Sequence, residues 1–220
     1  MEIRVLIADD HPIVRDGICG LLHSHLRINV VFVASTFADI RTFLETPAAA
    51  NVDVMVLDIG GMGDSPISFI TGLYRQPHNY RVIVFSSNVN LAPDLKAIGV
   101  HGYIGKEEMG QHLLTAIEVV AGGGTYFSPI VEEYLEVSAS VRQTFQLAPR
   151  EVSVLHYLSE GCTTLQIANH LQIEEETTQN YISKLRRKLH CHSRTQLVNW
   201  YRQMYLGDVS GASHKGLDNV

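Results

Sequence analysis

Five short apolar runs alternate with helix-spaced stretches over the first 126 residues, and no other feature limits the fold as strongly. The runs are RVLIA (4–8), VVFVA (30–34), VDVMVLD (52–58), RVIVFS (81–86) and HGYI (101–104). They are rich in β-branched residues and nearly continuous, which suits strands buried on both faces of a parallel sheet. Between them lie 12–25, 37–46, 67–76, 91–98 and 109–121, each with apolar residues at i, i+3 and i+4. Leu113, Leu114, Ile117 and Val120 are one such set, and Phe37, Ile40, Phe43 and Leu44 another. Pro12 falls where a first helical turn tolerates proline. The pattern predicts a doubly wound α/β domain over 2–126 with a five-stranded parallel sheet, flavodoxin-like in class.

The run Gly122, Gly123, Gly124 closes the last of these helices. Residues 127–146 read as a linker, with at most one helical turn around 130–136. From Pro149 to about Tyr205 the spacing is helical throughout, over 149–160, 164–171, 175–190 and 194–205, and Gly161 is a natural stop. This predicts a small all-α domain over 147–206. The tail 207–220 is rich in Gly and Ser and reads as disordered.

Charge divides along the same line. The chain has 220 residues and a net charge of −6. Residues 1–141 hold eight Lys/Arg against sixteen Asp/Glu, whereas 142–206 hold eight against five. The two parts therefore suit different partners, and a basic helical domain points toward nucleic acid. No apolar run is long enough to span a bilayer, and the first residues do not read as a signal peptide, so a cytoplasmic protein with no membrane partner is expected. Cys19, Cys162 and Cys191 are too far apart for a disulfide or metal pattern and read as ordinary reduced thiols. The eleven histidines are scattered, and His190 and His192 are too close-set for a convincing metal site.

The third run ends in Asp58, and a strand buried on both faces should not end on a carboxylate without a reason. The other runs also end in polar groups: Asp9 and Asp10, then Ser86 and Ser87, then Gly105 and Lys106. In an open α/β sheet, ligands bind outside the carboxyl ends of the strands. Three carboxylates meeting there raise one another's pKa, and a divalent cation relieves the conflict. Oxygen-only ligands with room for water fit Mg²⁺. One carboxylate then becomes a nucleophile toward a phosphoryl group, with Lys106 and Ser86 holding its oxygens. The plainer readings are that Asp9 and Asp10 cap the first helix, that Asp58 merely starts a loop and that Tyr103 is core.

These residues, in IADDHP, VLDI, VFSS and GYIGK, resemble the receiver domain of two-component response regulators. The opening IADDHPIVRDGI is similar to that of the NarL/FixJ subfamily. The resemblance implies phosphoryl transfer from a histidine kinase to Asp58, with Mg²⁺ held by Asp10, Asp58 and the Gly60 carbonyl and with Asp9 close by. It also implies that Lys106 pairs with the phosphoryl group and that Ser86 and Tyr103 move as the switch. Three departures bear on the output. Gly61 and Met62 stand where the family has Met-Pro, the 86–106 segment is short, and Pro93 falls in the fourth helix. A looser loop at Gly60 and Gly61 is expected.

The helical half carries PREVSVL, EGCTTLQIANHL, ETTQNYISKLRRKL and SRTQL, and it resembles the LuxR-type helix-turn-helix domain. The resemblance places base reading on Gln179, Asn180 and Ser183. Lys184, Arg186, Arg187 and Lys188 cluster near the end of the second helix and are expected to contact phosphates, with Arg194 a further DNA contact, although a solvated charged face is the plainer reading of the helix. Double-stranded DNA, a sensor histidine kinase and a second copy of the chain are the expected partners, with RNA polymerase a further candidate. Dimer contacts are expected through the receiver or through the last helix, with Leu197, Val198, Trp200, Tyr201 and Met204, although a core role suits Trp200 equally. Gln179, Tyr181, Gln166 and Glu174 each depart from the family's usual residue. Rival readings are a regulator of the same fold that needs no phosphorylation, a Mg²⁺-dependent phosphohydrolase and an interaction adaptor. The second of these lacks a general acid, since Gly60 stands where one is needed.

Overall fold

The computed structural model describes residues 2–63, 65–75 and 79–205, so the tail read as disordered lies outside the described residues. The chain forms two compact units, residues 1–136 and 137–220. The first holds a parallel sheet in the order β2-β1-β3-β4-β5-β6. Its strands are β1 (Ile3–Ala8), β2 (Ile28–Ala34), β3 (Val54–Leu57), β4 (Arg81–Ser86), β5 (Gly102–Gly105) and β6 (Tyr126–Phe127). Side chains alternate between two cores. Leu6, Met55, Leu57, Val82, Val84 and Tyr103 face one. Val5, Ile7, Val54, Val56, Ile83, Phe85 and Ile104 face the other. Burial on both faces is why the runs are apolar without a break.

Helices cover both faces. Phe37, Ile40 and Phe43 of α2 (Phe37–Leu44), Phe69, Ile70 and Leu73 of α3 (Pro66–Tyr74), and Ala92 and Leu95 of α4 (Ala92–Ile98) join the first core. Ile18 and Leu22 of α1 (Pro12–His23) and Leu113, Ala116, Ile117 and Val120 of α5 (Met109–Ala121) join the second. Thr36 and Asp39 form a reciprocal capping box at the start of α2. Pro93 lies in the first turn of α4, where its missing N–H has no helical partner to lose, so it does not break the helix.

Two expectations change. The sheet has six strands rather than five, because Tyr126 and Phe127 pair with Gly102 and Tyr103. The expected linker holds a full helix, α6 (Pro129–Thr144). Val131 and Tyr134, one turn apart, are buried at its start, and Val131 joins the first core.

The second unit is helical, with α7 (Pro149–Ser159), α8 (Thr164–Leu171), α9 (Glu175–Lys188) and α10 (Arg194–Tyr205). Leu155, Leu158, Ile167, Leu171, Leu185, Leu197 and Tyr201 fill its core. Gln166 stands where the family has Glu but keeps the capping function. Its Oε1 accepts from Thr163 N at 2.7 Å, while Thr163 Oγ1 accepts from Gln166 N at 3.2 Å.

His156 is 1% exposed, and its ring lies 6.1 Å from that of Tyr201. Burial pushes its imidazole down from 6.5 to about 4. A folded value below the unfolded one means that protonation favours the unfolded chain. The contribution is whole above pH 6.5 and is lost as the pH falls toward 4, at most about 3 kcal/mol. His156→Phe is therefore expected to lose less stability than the native chain between pH 7 and pH 5, as read from urea midpoints at each pH.

Candidate functional site

The order of the sheet puts β1 between β2 and β3, so the chain winds away in both directions from the β1–β3 boundary. Asp9 follows β1 and Asp58 follows β3. Their backbones are tied in by Asp9 N to Ala34 O (3.3 Å) and Asp58 N to Ala8 O (2.7 Å). Both are buried, at 0% and 2% exposure. Lys106, just past β5, donates from Nζ to Asp9 Oδ2 and to Asp58 Oδ2, each at 2.8 Å. Its ammonium lies 5.2 Å from the centre of the Phe85 ring.

The remaining carboxylate oxygens are held locally. Asp58 Oδ1 accepts from Ile59 N at 2.7 Å and Gly60 N at 3.1 Å. Asp9 Oδ1 accepts from His11 N at 2.8 Å. Burial raises Asp58 above the ordinary carboxylate range, and this outweighs the lowering by Lys106 and the Gly60 N–H. Burial works against the charge on Lys106 too, but its bonds to Asp58 and Asp9 prevail and raise it. The balances differ because the Lys106 side chain keeps 21% exposure while that of Asp58 keeps 3%.

Asp9, Asp10, His11 and Asp58 each offer a ligand atom, and these atoms lie within 4.8 Å of one another. Asp10 Oδ1 is buried and has no hydrogen-bond partner. It lies 2.6 Å from His11 Nδ1, an ion-pair distance without hydrogen-bond geometry. A buried acceptor left open beside two other carboxylates is what a hard, oxygen-seeking cation requires, so the residues fit Mg²⁺. His11 is not among the site residues that the sequence motifs mark. Its position beside two acids in one turn was the available signal.

Just after Asp58 the chain is anchored at Gly61 and Met62. Met62 is 2% exposed and belongs to the first core, and its carbonyl accepts from Phe37 N at 3.0 Å. Gly61 has φ +64°, and a β-carbon there would lie 1.9 Å from Asp10 Oδ2. Glycine at 61 thus admits both the left-handed backbone and the Asp10 carboxylate.

Ser86 ends β4 opposite Gly105, which places it next to Lys106. Its Oγ accepts from Asn88 N at 3.1 Å. Tyr103 is fully buried and donates its hydroxyl to the Asn88 carbonyl. Burial raises the phenol, and a bond with Ser86 opposes this. Asn88 therefore joins the two residues expected to switch, a role the sequence did not indicate.

In the helical unit, Gln179, Asn180, Ser183 and Arg187 are exposed on α9. Lys184 is exposed too, and Lys188 is half-buried. Their ammonium groups lie 3.1 and 2.7 Å from the two oxygens of Glu151, which is fully buried. Burial works to raise Glu151, but bonds from Lys188, the Ala148 N–H and Lys184 hold it below the ordinary value. Lys188 also donates to the Gln146 carbonyl at 2.8 Å, so it serves the domain's interior rather than a free backbone-contact surface. Arg194 donates to the Cys162 carbonyl. On α10, Leu197 and Tyr201 are fully buried and so are corrected from dimer-contact candidates to core. Trp200 packs edge-on against Phe145, with ring centres 5.0 Å apart.

Gly61→Ala would force a left-handed alanine against a carboxylate, at a cost of about 1–3 kcal/mol. The expected result is a lower urea midpoint for the first unit's transition; Gly63→Ala, with open space around its β-carbon, provides the control for backbone strain alone.

The sequence model for the response regulator receiver domain matches residues 5–118, and that for bacterial regulatory proteins of the luxR family matches residues 146–201. The chain is 32% identical over 198 residues to the nitrate/nitrite response regulator protein NarP of Escherichia coli K12, covering 87% of this chain and 90% of that one. It is 30% identical over 201 residues to the DNA-binding transcriptional activator DevR/DosR of Mycobacterium tuberculosis, with coverage of 88% and 91%. A structure of two RcsB dimers bound to two parallel DNAs is similar at TM-score 0.63 and 25% identity, covering 96% of this chain and 100% of that one. RcsB from Salmonella typhimurium shares the fold at TM-score 0.71 and 24% identity, with coverage of 93% and 98%. The chain belongs to the response regulators of the NarL/FixJ subfamily, in which a receiver domain is joined to a luxR-type DNA-binding domain.

Proposed function

We propose that Asp58 accepts a phosphoryl group from a partner histidine kinase, and that this modification sets how tightly the helical domain, as a dimer, holds promoter DNA. The observation that carries the reading is the Lys106 ammonium 2.8 Å from a carboxylate oxygen of both Asp9 and Asp58. Asp10, Asp58 and the Gly60 carbonyl would hold Mg²⁺, with Asp9 alongside, and the bound ion would neutralise charge on the phosphoryl oxygens. An Asp58 oxygen attacks phosphorus and forms the acyl phosphate bond. The bond from phosphorus to the kinase's imidazole nitrogen breaks, and its electron pair leaves with that nitrogen. Lys106 then pairs with a phosphoryl oxygen, and Ser86 is placed to donate to another.

The proposed domains follow the compact units, with the receiver running through the first turns of α6 and the DNA-binding domain over about 147–205. DNA contact uses Gln179, Asn180 and Ser183 toward bases and Arg187 toward phosphates. Lys188 instead fixes α9 against α7 through Glu151, while Lys184 pairs with the same carboxylate and stays exposed toward DNA. Among the described residues no helix is long and apolar enough to cross a membrane.

A second reading, DNA binding without phosphorylation, is favoured by Tyr103. Its ring is already fully buried and its hydroxyl is anchored on Asn88. Incubation with a small phosphodonor and Mg²⁺ separates the two. The first reading predicts a gain of one phosphoryl mass and tighter binding to the chain's own promoter region, both absent in Asp58→Ala. Equal affinity of the native and Asp58→Ala chains under those conditions would favour the second. On either reading, Asn180→Ala is expected to weaken specific binding by about 1–3 kcal/mol, since Asn pairs in two-pronged fashion with adenine. An unchanged ratio of specific to random-sequence affinity would remove Asn180 from the base-reading set.

A further inference from the structure

The strand that delivers Lys106 is completed by a side chain. β5 pairs with β4 along its length, and Ser86 stands opposite Gly105. Its other edge meets β6, which covers only Gly102 and Tyr103. Ser128 carries the ladder one step further, since its N–H donates to the Tyr103 carbonyl at 2.9 Å. In a parallel ladder the next bond runs from the Gly105 N–H to the Ser128 carbonyl. That carbonyl is already taken. It accepts from Val131 N and Glu132 N, each at 2.9 Å, where α6 begins. The Ser128 hydroxyl takes its place, and Oγ accepts from Gly105 N at 3.1 Å. Ser128 is 0% exposed and Gly105 is buried, so without this hydroxyl the Gly105 donor is left unsatisfied.

The same segment meets Lys106 from its other side. A short 3-10 turn covers Lys106–Glu108, and the Glu108 carboxylate oxygens accept from Ile130 N at 3.3 and 3.4 Å. A β-carbon on Gly105 would lie 2.8 Å from Ile130 Cγ2, so the first turn of α6 lies directly against the residue before Lys106. The lysine is thus bracketed by Gly105 and Glu108, and both are tied to residues 128–130. Its ammonium reaches Asp9 and Asp58 at 2.8 Å each, and that double contact depends on where this backbone is held. Ser128 lies beyond residues 5–118, the part of the chain that the receiver sequence model matches.

We propose, resting on the phosphorylation reading above, that Ser128 is a positioning residue for phosphoryl transfer: through Gly105 it holds the backbone from which Lys106 reaches the phosphoryl oxygens. Ser128 touches no reacting atom. Its effect is geometric, and a displacement of about 1 Å at a group that contacts the reacting centre costs up to about 10²-fold in rate. The start of α6 is in this way a working part of the phosphorylation site.

The full chain is incubated with Mg²⁺ and a small acyl phosphate, and the phosphorylated fraction is followed by intact mass over time. An Asp58 oxygen bonds to phosphorus as the donor's carboxylate leaves with the electron pair of the broken bond. Ser128→Ala removes the acceptor, and Ser128→Thr keeps it. Ser128→Cys keeps the volume but offers a much weaker acceptor, and it carries the comparison should Ser128→Ala not fold. Urea midpoints establish that each variant is folded under the assay conditions. At saturating donor the Ala and Cys variants are expected to be slower by about tenfold or more, with Ser128→Thr within about twofold of the native chain. A residue that only stabilised the fold would lower the midpoints and leave the saturating rate of the folded chain unchanged. Native rates in the folded Ala or Cys variant, or a loss in Ser128→Thr as large as theirs, would overturn the proposal. No gain of mass by the native chain would instead bring down the phosphorylation reading on which it rests.

Discussion

The receiver depends on one ammonium group that bridges carboxylates from two different strands. Lys106 Nζ lies at 2.8 Å from both Asp9 and Asp58, each almost wholly buried. Two acids at the tips of adjacent strands repel and are costly to desolvate. A shared cation offsets both effects only if β1, β3 and β5 end at the same level. The sheet register provides this: β1 pairs with β3, β3 with β4 and β4 with β5, all parallel. Asp10 is then the acid left over, with a buried oxygen that has no hydrogen-bond partner. The charge balance of the pocket is incomplete by the measure of its own side chains, and that imbalance is its chemical capacity.

The helical unit solves a similar problem differently. Glu151 is a fully buried carboxylate facing two lysines from α9. Here two ammonium groups outweigh one carboxylate, and the ion pairs tie α9 to α7. Breaking such a buried cluster by removing one partner is costlier than its net contribution suggests. The basic residues of α9 therefore differ in how far they are buried. Lys188 acts inward, Lys184 pairs with Glu151 from an exposed position, and Arg186 and Arg187 are exposed at the surface.

Much of this was legible in the sequence for a physical reason. Strands buried on both faces leave unbroken apolar runs, and a carboxylate at the end of such a run has few explanations. Other features left weaker traces. β6 is two half-buried residues long, too short for a period to register. The helix over Pro129–Thr144 was masked by Ser and Ala in its second half. Yet Val131, Tyr134, Ser138 and Val141 are all buried at three- and four-residue steps, a spacing that was present to be read. Gly61 read as a source of looseness, because sequence shows the absence of a side chain but not the Asp10 carboxylate that occupies its space. The pairing of residues 184 and 188 with Glu151 was not legible, because a lysine's partner 33 or more residues away leaves no local pattern.

The central claim is that Asp9, Asp10 and Asp58 form one cation site beside Lys106. The most direct test is a Mg²⁺ titration of the isotopically labelled full chain, followed by amide resonances. Saturable shifts at residues 9–11 and 58–61 and at Lys106 are predicted, and Asp10→Asn should weaken them sharply. Shifts absent from those residues, or unchanged by Asp10→Asn, would contradict the account.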